Sequence, residues 1–183
     1  MKKAILLAAV LGTAATPAIA DDQRLTESRE IAEAFQQQLG GKLQAALAAG
    51  GPLNAIGVCS EVAPVIAARQ SAASGAQVSR TALRVRNPDN APDEEARAVL
   101  EDFRQQISAG SAMPVEYFQV NDDGSARFMK AIVLQPMCAL CHGQTLAPEV
   151  HAAVQQHYPD DQATGFAVGE LRGAFLIDWP AGG

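Results

Sequence analysis

Three residue classes are scarce in this chain of 183 residues. It has only three cysteines, three histidines and an aromatic content of 5%, with one tryptophan and two tyrosines. So few cysteines exclude a disulfide scaffold. So few aromatics leave an alanine-rich core short of side-chain bulk, which a flat apolar cofactor would supply. Basic residues are also in deficit, 14 Lys and Arg against 20 Asp and Glu, for a formal net charge of −6. That balance argues against nucleic acid or an anionic membrane as partner and suits a basic protein partner. Beyond the first twenty residues no long apolar run is evident, so a membrane anchor is not expected.

Against this background one stretch stands out, Cys138-Ala139-Leu140-Cys141-His142. C-x-x-C-H is the spacing of a c-type haem attachment site. Two thiols three positions apart reach the two vinyl groups on one edge of a porphyrin, and the next imidazole lies beneath the ring to bind iron. A thiol–disulfide pair would call for a strand-to-helix junction in a βαβ unit, and none is evident. A zinc site would need a second ligand pair, for which the chain keeps only Cys59, His151 and His157. The reading is therefore one covalent haem c, held by Cys138 and Cys141, with His142 as the proximal ligand.

The N-terminus agrees with that chemistry. Lys2 and Lys3, the apolar run Ala4 to Leu11 and Ala18-Ile19-Ala20 have the layout of a secretory signal peptide over residues 1–20. The expected product begins at Asp21, forms one domain over residues 21–183 and is soluble in the periplasm, where thioether formation takes place. Its charge, without Lys2 and Lys3, is −8. No cysteine lies at the cleavage junction, so no lipid anchor is expected. With Cys138 and Cys141 committed to haem, Cys59 is an odd thiol in an oxidising compartment.

Apolar residues from Arg24 to Ala49 recur at three- to four-residue steps, apart from one wider step (Leu25, Ile31, Phe35, Leu39, Leu43, Leu47), and predict a helix, with Gly40-Gly41 a candidate bend and Gly50-Gly51-Pro52 its end. A second helix is expected over Leu53–Ala73, kinked or broken at Pro64, which cannot donate to the Ser60 carbonyl. Residues 76–86 alternate as a strand, with Arg80, Arg84 and Arg86 on one face. A helix is expected over 93–108, a hairpin of strands 115–120 and 125–134 around Asn121-Asp122-Asp123-Gly124, a short helix over 148–157 and a last strand over 171–179. Strands reached by hairpins and long excursions predict an α+β fold with an antiparallel sheet.

Four stretches carry a family resemblance: Ala55 to Pro64 (AIGVCSEVAP), Arg84 to Glu94 (RVRNPDNAPDE), Cys138 to Gly143 (CALCHG) and Tyr158 to Ala174 (YPDDQATGFAVGELRGA). On these the chain resembles the c-type haem domains of PAS-like fold found alone or as sensor modules of bacterial signalling proteins. The resemblance implies a PAS-like antiparallel sheet flanked by helices and haem bound by the C-x-x-C-H turn. It also implies a second axial ligand from a cysteine in the first helical region, at Cys59. No attached signalling module is expected, so a direct sensor-kinase role is not expected either.

From the residues alone, Cys59 is either a ligand or a small buried hydrophobe on the apolar face of Ala55, Ile56, Val62, Ala63 and Ile66. His151, His157, Met113, Met129 or an open position are the other candidates opposite His142. Met137 adjoins the attachment turn too closely to reach round. Arg80, Arg84 and Arg86 suit haem propionates or a solvated sheet edge equally well. Gly165, Gly169 and Gly173 fit tight turns, and Asp160 and Asp161 form no convincing catalytic pair. No nucleophile–base arrangement is evident, so an enzyme is not expected. His/Cys ligation would suit a redox or gas sensor acting through a separate redox or signalling partner. Acidity and solubility suit a soluble electron carrier, and an open distal side would suit a peroxidase.

Overall fold

The computed structural model describes residues 21–182, so the expected signal peptide lies outside the described residues. The elements are α1 (Asp21–Gly57), a π turn (Val58–Val62), α2 (Ala63–Ser74), β1 (Gln77–Thr81), a 3-10 turn (Pro88–Asn90), α3 (Glu94–Ser108), β2 (Glu116–Val120), β3 (Ala126–Val133), α4 (Ala139–His142), α5 (Pro148–His157) and β4 (Leu171–Trp179). The four strands form one antiparallel sheet in the order β1-β4-β3-β2. The α+β class with an antiparallel sheet is as the sequence implied.

Strand alternation sorts the side chains onto two covered faces. Phe128, Phe175, Ile177 and Trp179 meet Ala32 and Phe35 of α1 and Ala63 and Ile66 of α2. Met129, Ala131 and Ala174 meet Ala96, Val99, Leu100 and Phe103 of α3. Phe35 and Phe175 are the aromatic centre of the first layer, their ring centroids 5.3 Å apart. The buried stripe of α1 is Arg24, Ser28, Ala32 and Phe35 rather than the leucine series. Polar ties to the sheet turn the helix that way: Trp179 Nε1 donates to Ser28 Oγ at 2.9 Å and Arg24 Nη1 to the Gly124 carbonyl at 2.8 Å.

Three details differ from expectation. The helix runs unbroken through Gly40-Gly41 but loses helical geometry at Gly50 and Gly51, where Gly51 takes φ +70° and Pro52 restarts it. The run 21–74 is, by length and composition, apolar enough for a membrane span, contrary to the sequence reading. The glycine kink interrupts it, and α1 and α2 bury their inner faces on the sheet. Pairing of β1 stops at Thr81↔Ala174, short of the expected strand end at 86. The Asn90 carbonyl accepts from both Ala82 N and Thr81 Oγ1, which turns the chain out of the sheet. Arg84 and Arg86 therefore lie beyond the strand and do not share a face with Arg80.

Candidate functional site

The C-x-x-C-H run forms the single turn α4. Cys141 N and His142 N both donate to the Cys138 carbonyl, at 3.2 and 3.0 Å, and Gly143 N donates to Ala139 O at 2.9 Å. A Cβ at Gly143 would run into that same Ala139 carbonyl, so the turn closes on glycine. The turn is stitched to the loop before β4, with Gly165 N donating to Gly143 O at 2.9 Å and Phe166 N to His142 O at 3.1 Å.

His142 Nδ1 lies 2.6 Å from the Ala163 carbonyl and 3.3 Å from Arg172 Nε. A carbonyl only accepts and a guanidinium only donates, so both contacts cannot be hydrogen bonds. The shorter one decides: Nδ1 carries the proton and donates to Ala163, while Arg172 lies alongside. Nε2 is then left with its lone pair, and among the described residues no donor meets it. Burial, helped by the nearby Arg172 and Arg86, holds the imidazole well below its ordinary pKa and hence neutral, as a metal ligand must be. Burial likewise pushes both the Cys138 and Cys141 thiols up.

Behind the turn sits a buried ion pair. Arg86 Nε and Nη2 grip the two carboxylate oxygens of Asp161 at 3.0 Å each, with side-chain exposures of 8% and 1%. Arg86 Nη2 also donates to the Cys141 carbonyl at 2.7 Å, and Asp161 Oδ1 accepts from Ala163 N at 2.9 Å.

Cys59 lies in the π turn between α1 and α2. Pro64 offers no N–H to the Ser60 carbonyl, and Ala63 N bonds back to Val58 O, the π pattern. One turn earlier, Ile56 packs with Val150 and Val154 of α5, and Cys141 borders the same cluster. Cys59 lines a cleft of about 690 Å³ together with Phe35, Arg80, Arg86 and Tyr158. Cofactor pockets span roughly 300–1,000 Å³. The cleft lining does not include the C-x-x-C-H turn; Arg86 joins the two, facing the cleft and bonding Cys141. Cys59 is close enough that its charge as a thiolate would oppose ionisation of Cys138 and Cys141. Among the described residues no three His, Cys, Asp or Glu side chains close on a single bare ion.

Two arginines near the cleft and the turn stand without an acidic partner among the described residues. Arg80 stands on β1 opposite Phe175, 5.6 Å above the Phe35 ring, and has no carboxylate partner among the described residues. Arg172 is equally without one; burial, with Arg86 and Arg80 nearby, pushes its pKa down to about 10. Arg84 turns outward, donating to the Thr164 carbonyl at 2.9 Å and stacking 3.6 Å from the Phe166 ring centroid.

Of the other iron-ligand candidates, Met129 is fully buried under α3 on the opposite face of the sheet, and Met113 is 48% exposed. His151 and His157 are exposed on α5; His157 lines the same cleft as Cys59, and its Nδ1 contacts the Ala153 carbonyl of its own helix at 2.8 Å. Sequence reasoning missed Arg172 and the Ala163 carbonyl, and set Asp161 aside. An arginine inside the apolar run of β4, and an Asp two residues before the bonded amide, were the only local signals.

A family model described as Tll0287-like matches residues 13–180. No curated protein matches the chain. Among solved structures it is similar to the crystal structure of the cyanobacterial haem protein Tll0287, with 28% sequence identity and a TM-score of 0.70, covering 88% of this chain and 97% of that one. With the match spanning nearly its whole length, the chain belongs to the Tll0287-like family.

Proposed function

We propose that this chain is an exported haem protein of the c type that acts as a redox or gas sensor through a separate protein partner. Cys138 and Cys141 carry the thioethers, His142 is the proximal ligand and Cys59 the distal one. One observation carries the reading: within a C-x-x-C-H turn, the His142 Nδ1 proton is committed to Ala163, leaving Nε2 as the donor. The haem protein of known structure supports the same cofactor. The four-stranded sheet with helices on both faces suits the PAS-like arrangement that a sensor domain implies.

The donor set fits the cofactor in chemistry and in charge. Arg80 and Arg172, without carboxylate partners, supply the compensation that two propionates require. When bound, the haem would supply a one-electron ferric–ferrous couple and an axial position for small gases. The protein's part is to hold and release. Cys59 Sγ would bind as the thiolate, beside a cleft that gives access from outside. With Cys59 as a ligand, the position a peroxidase keeps open would be filled, and this reading includes no turnover.

The test pairs absorption and EPR spectra of the haem-loaded protein with those of Cys59→Ala. A ferric low-spin thiolate signature present in the wild type and lost in the variant is expected. Coincident spectra would make Cys59 a packing residue and leave a soluble electron carrier as the better reading.

A further inference from the structure

The buried pair Arg86–Asp161 lies behind the C-x-x-C-H turn and holds the group that does the orienting. Asp161 Oδ1 accepts from Ala163 N at 2.9 Å, two residues on, which fixes the Gln162–Ala163 peptide in an Asx turn, and Arg86 Nη2 donates to the Ala163 carbonyl itself at 3.4 Å. The carbonyl of Ala163 then receives the His142 Nδ1 proton at 2.6 Å. Arg86 closes the arrangement from the other side, bound to both Asp161 oxygens and to the Cys141 carbonyl adjacent to His142. Burying an ion pair is costly and often contributes nothing to stability, so its position at this turn asks for another use.

We propose that Asp161, clamped by Arg86, is a positioning residue for His142: the pair fixes the Ala163 carbonyl that holds the Nδ1 proton, and thereby fixes which nitrogen His142 presents and how strongly it donates. This rests on the reading of His142 as an axial ligand. A strong Nδ1–H bond to a fixed carbonyl raises ligand basicity and favours the ferric state. Loosening it makes His142 a weaker donor, and the reduction potential rises.

The experiment compares wild type, Asp161→Asn and the apolar double variant Arg86→Met/Asp161→Leu, each matured with covalent haem. Haem attachment is read on denaturing gels, stability by urea unfolding, and ligation by potentiometry and EPR. Asp161→Asn leaves Arg86 without its counter-charge and is expected to raise the midpoint by about 59 mV, a tenfold shift in a one-electron equilibrium. The double variant replaces a buried pair by apolar groups, so it regains the stability that Asp161→Asn loses, while its potential stays shifted. A double variant with wild-type potential and EPR spectrum would overturn the proposal and leave the pair purely structural. Should Asp161→Asn fail to fold, the double variant decides alone. Wild-type protein that carries no covalent haem would overturn the haem reading itself, an outcome distinct from an unmoved potential.

Discussion

At the residue scale, what a side chain can do here is decided by where one proton or one charge is committed. His142 is the functional case; Asp93 is its structural counterpart. Its carboxylate caps α3, accepting from Ala96 N at 2.7 Å, and pairs with Arg127 Nη2 at 2.9 Å; Arg127 also binds Glu95 and Asp178. The bond from Arg127 holds the Asp93 carboxyl below its ordinary value of 3.8. A group depressed on folding stabilises above its unfolded pKa, and the contribution fades as pH falls through the lower folded value. Asp93→Ala is expected to cost about 1 kcal/mol in urea unfolding at pH 7, the usual worth of an N-cap. Asp93→Asn keeps the cap and loses only the pairing, a smaller effect because the side chain is 55% exposed. The gap between wild type and Asp93→Asn should close as pH is lowered below 3.8 through the depressed folded value; a gap that stays constant as pH falls would refute the assignment. Residues of this kind divide by how far their partners lie along the chain. Cys138, Cys141 and His142 were legible because five consecutive residues contain the chemistry. Arg86 with Asp161 and His142 with Arg172 lie 75 and 30 residues apart and left no local pattern.

At the element scale, the π turn is the feature with most consequence. Pro64 was readable as a kink, since a missing N–H is a local fact. The accommodation the chain chose was not, because a π turn depends on how α1 and α2 are held against the sheet. Val58–Val62 inserts one residue into the helical path, and Cys59 lies within it. One residue corresponds to about 100° of rotation about an α-helix. Restoring the N–H by Pro64→Ala should let the Ser60 carbonyl be paired and the turn relax towards α geometry, carrying Cys59 away from its present direction. The haem-loaded variant should then shift its ferric spectrum towards that of Cys59→Ala without loss of urea stability. An unchanged spectrum would mean that packing, not Pro64, sets the turn. The shortened β1 has a similar origin. The alternation of Arg80, Arg84 and Arg86 was genuine in the sequence, but the Asn90 carbonyl captures the strand end and disperses the three arginines.

For the whole molecule, the paucity of aromatic side chains and the excess of acidic residues belong together with the charge of the site. The chain is acidic overall, yet the half-buried Arg80 and Arg172 have no carboxylate partners among the described residues, and a large cleft lies beside Arg80. Such an interior is poorly stabilised by the polypeptide alone. A bound porphyrin would add apolar contact and two negative charges, so the folded state should depend on it. Blocking attachment with Cys138→Ser/Cys141→Ser is expected to cost about 1–3 kcal/mol, below the penalty for a fully buried unpaired charge because both guanidinium side chains are half-buried. For a domain of this size that corresponds to roughly 2–12 °C in thermal midpoint. The same reasoning fixes a reversal of sign at Arg80. In the haem-loaded protein Arg80→Leu removes a counter-charge and should lower the midpoint. In the attachment-deficient chain it removes an unpaired cation and should raise it. Calorimetry on the four proteins measures both. An equal effect of Arg80→Leu in the two backgrounds would mean that Arg80 serves the packing over Phe35 rather than the charge of the cofactor.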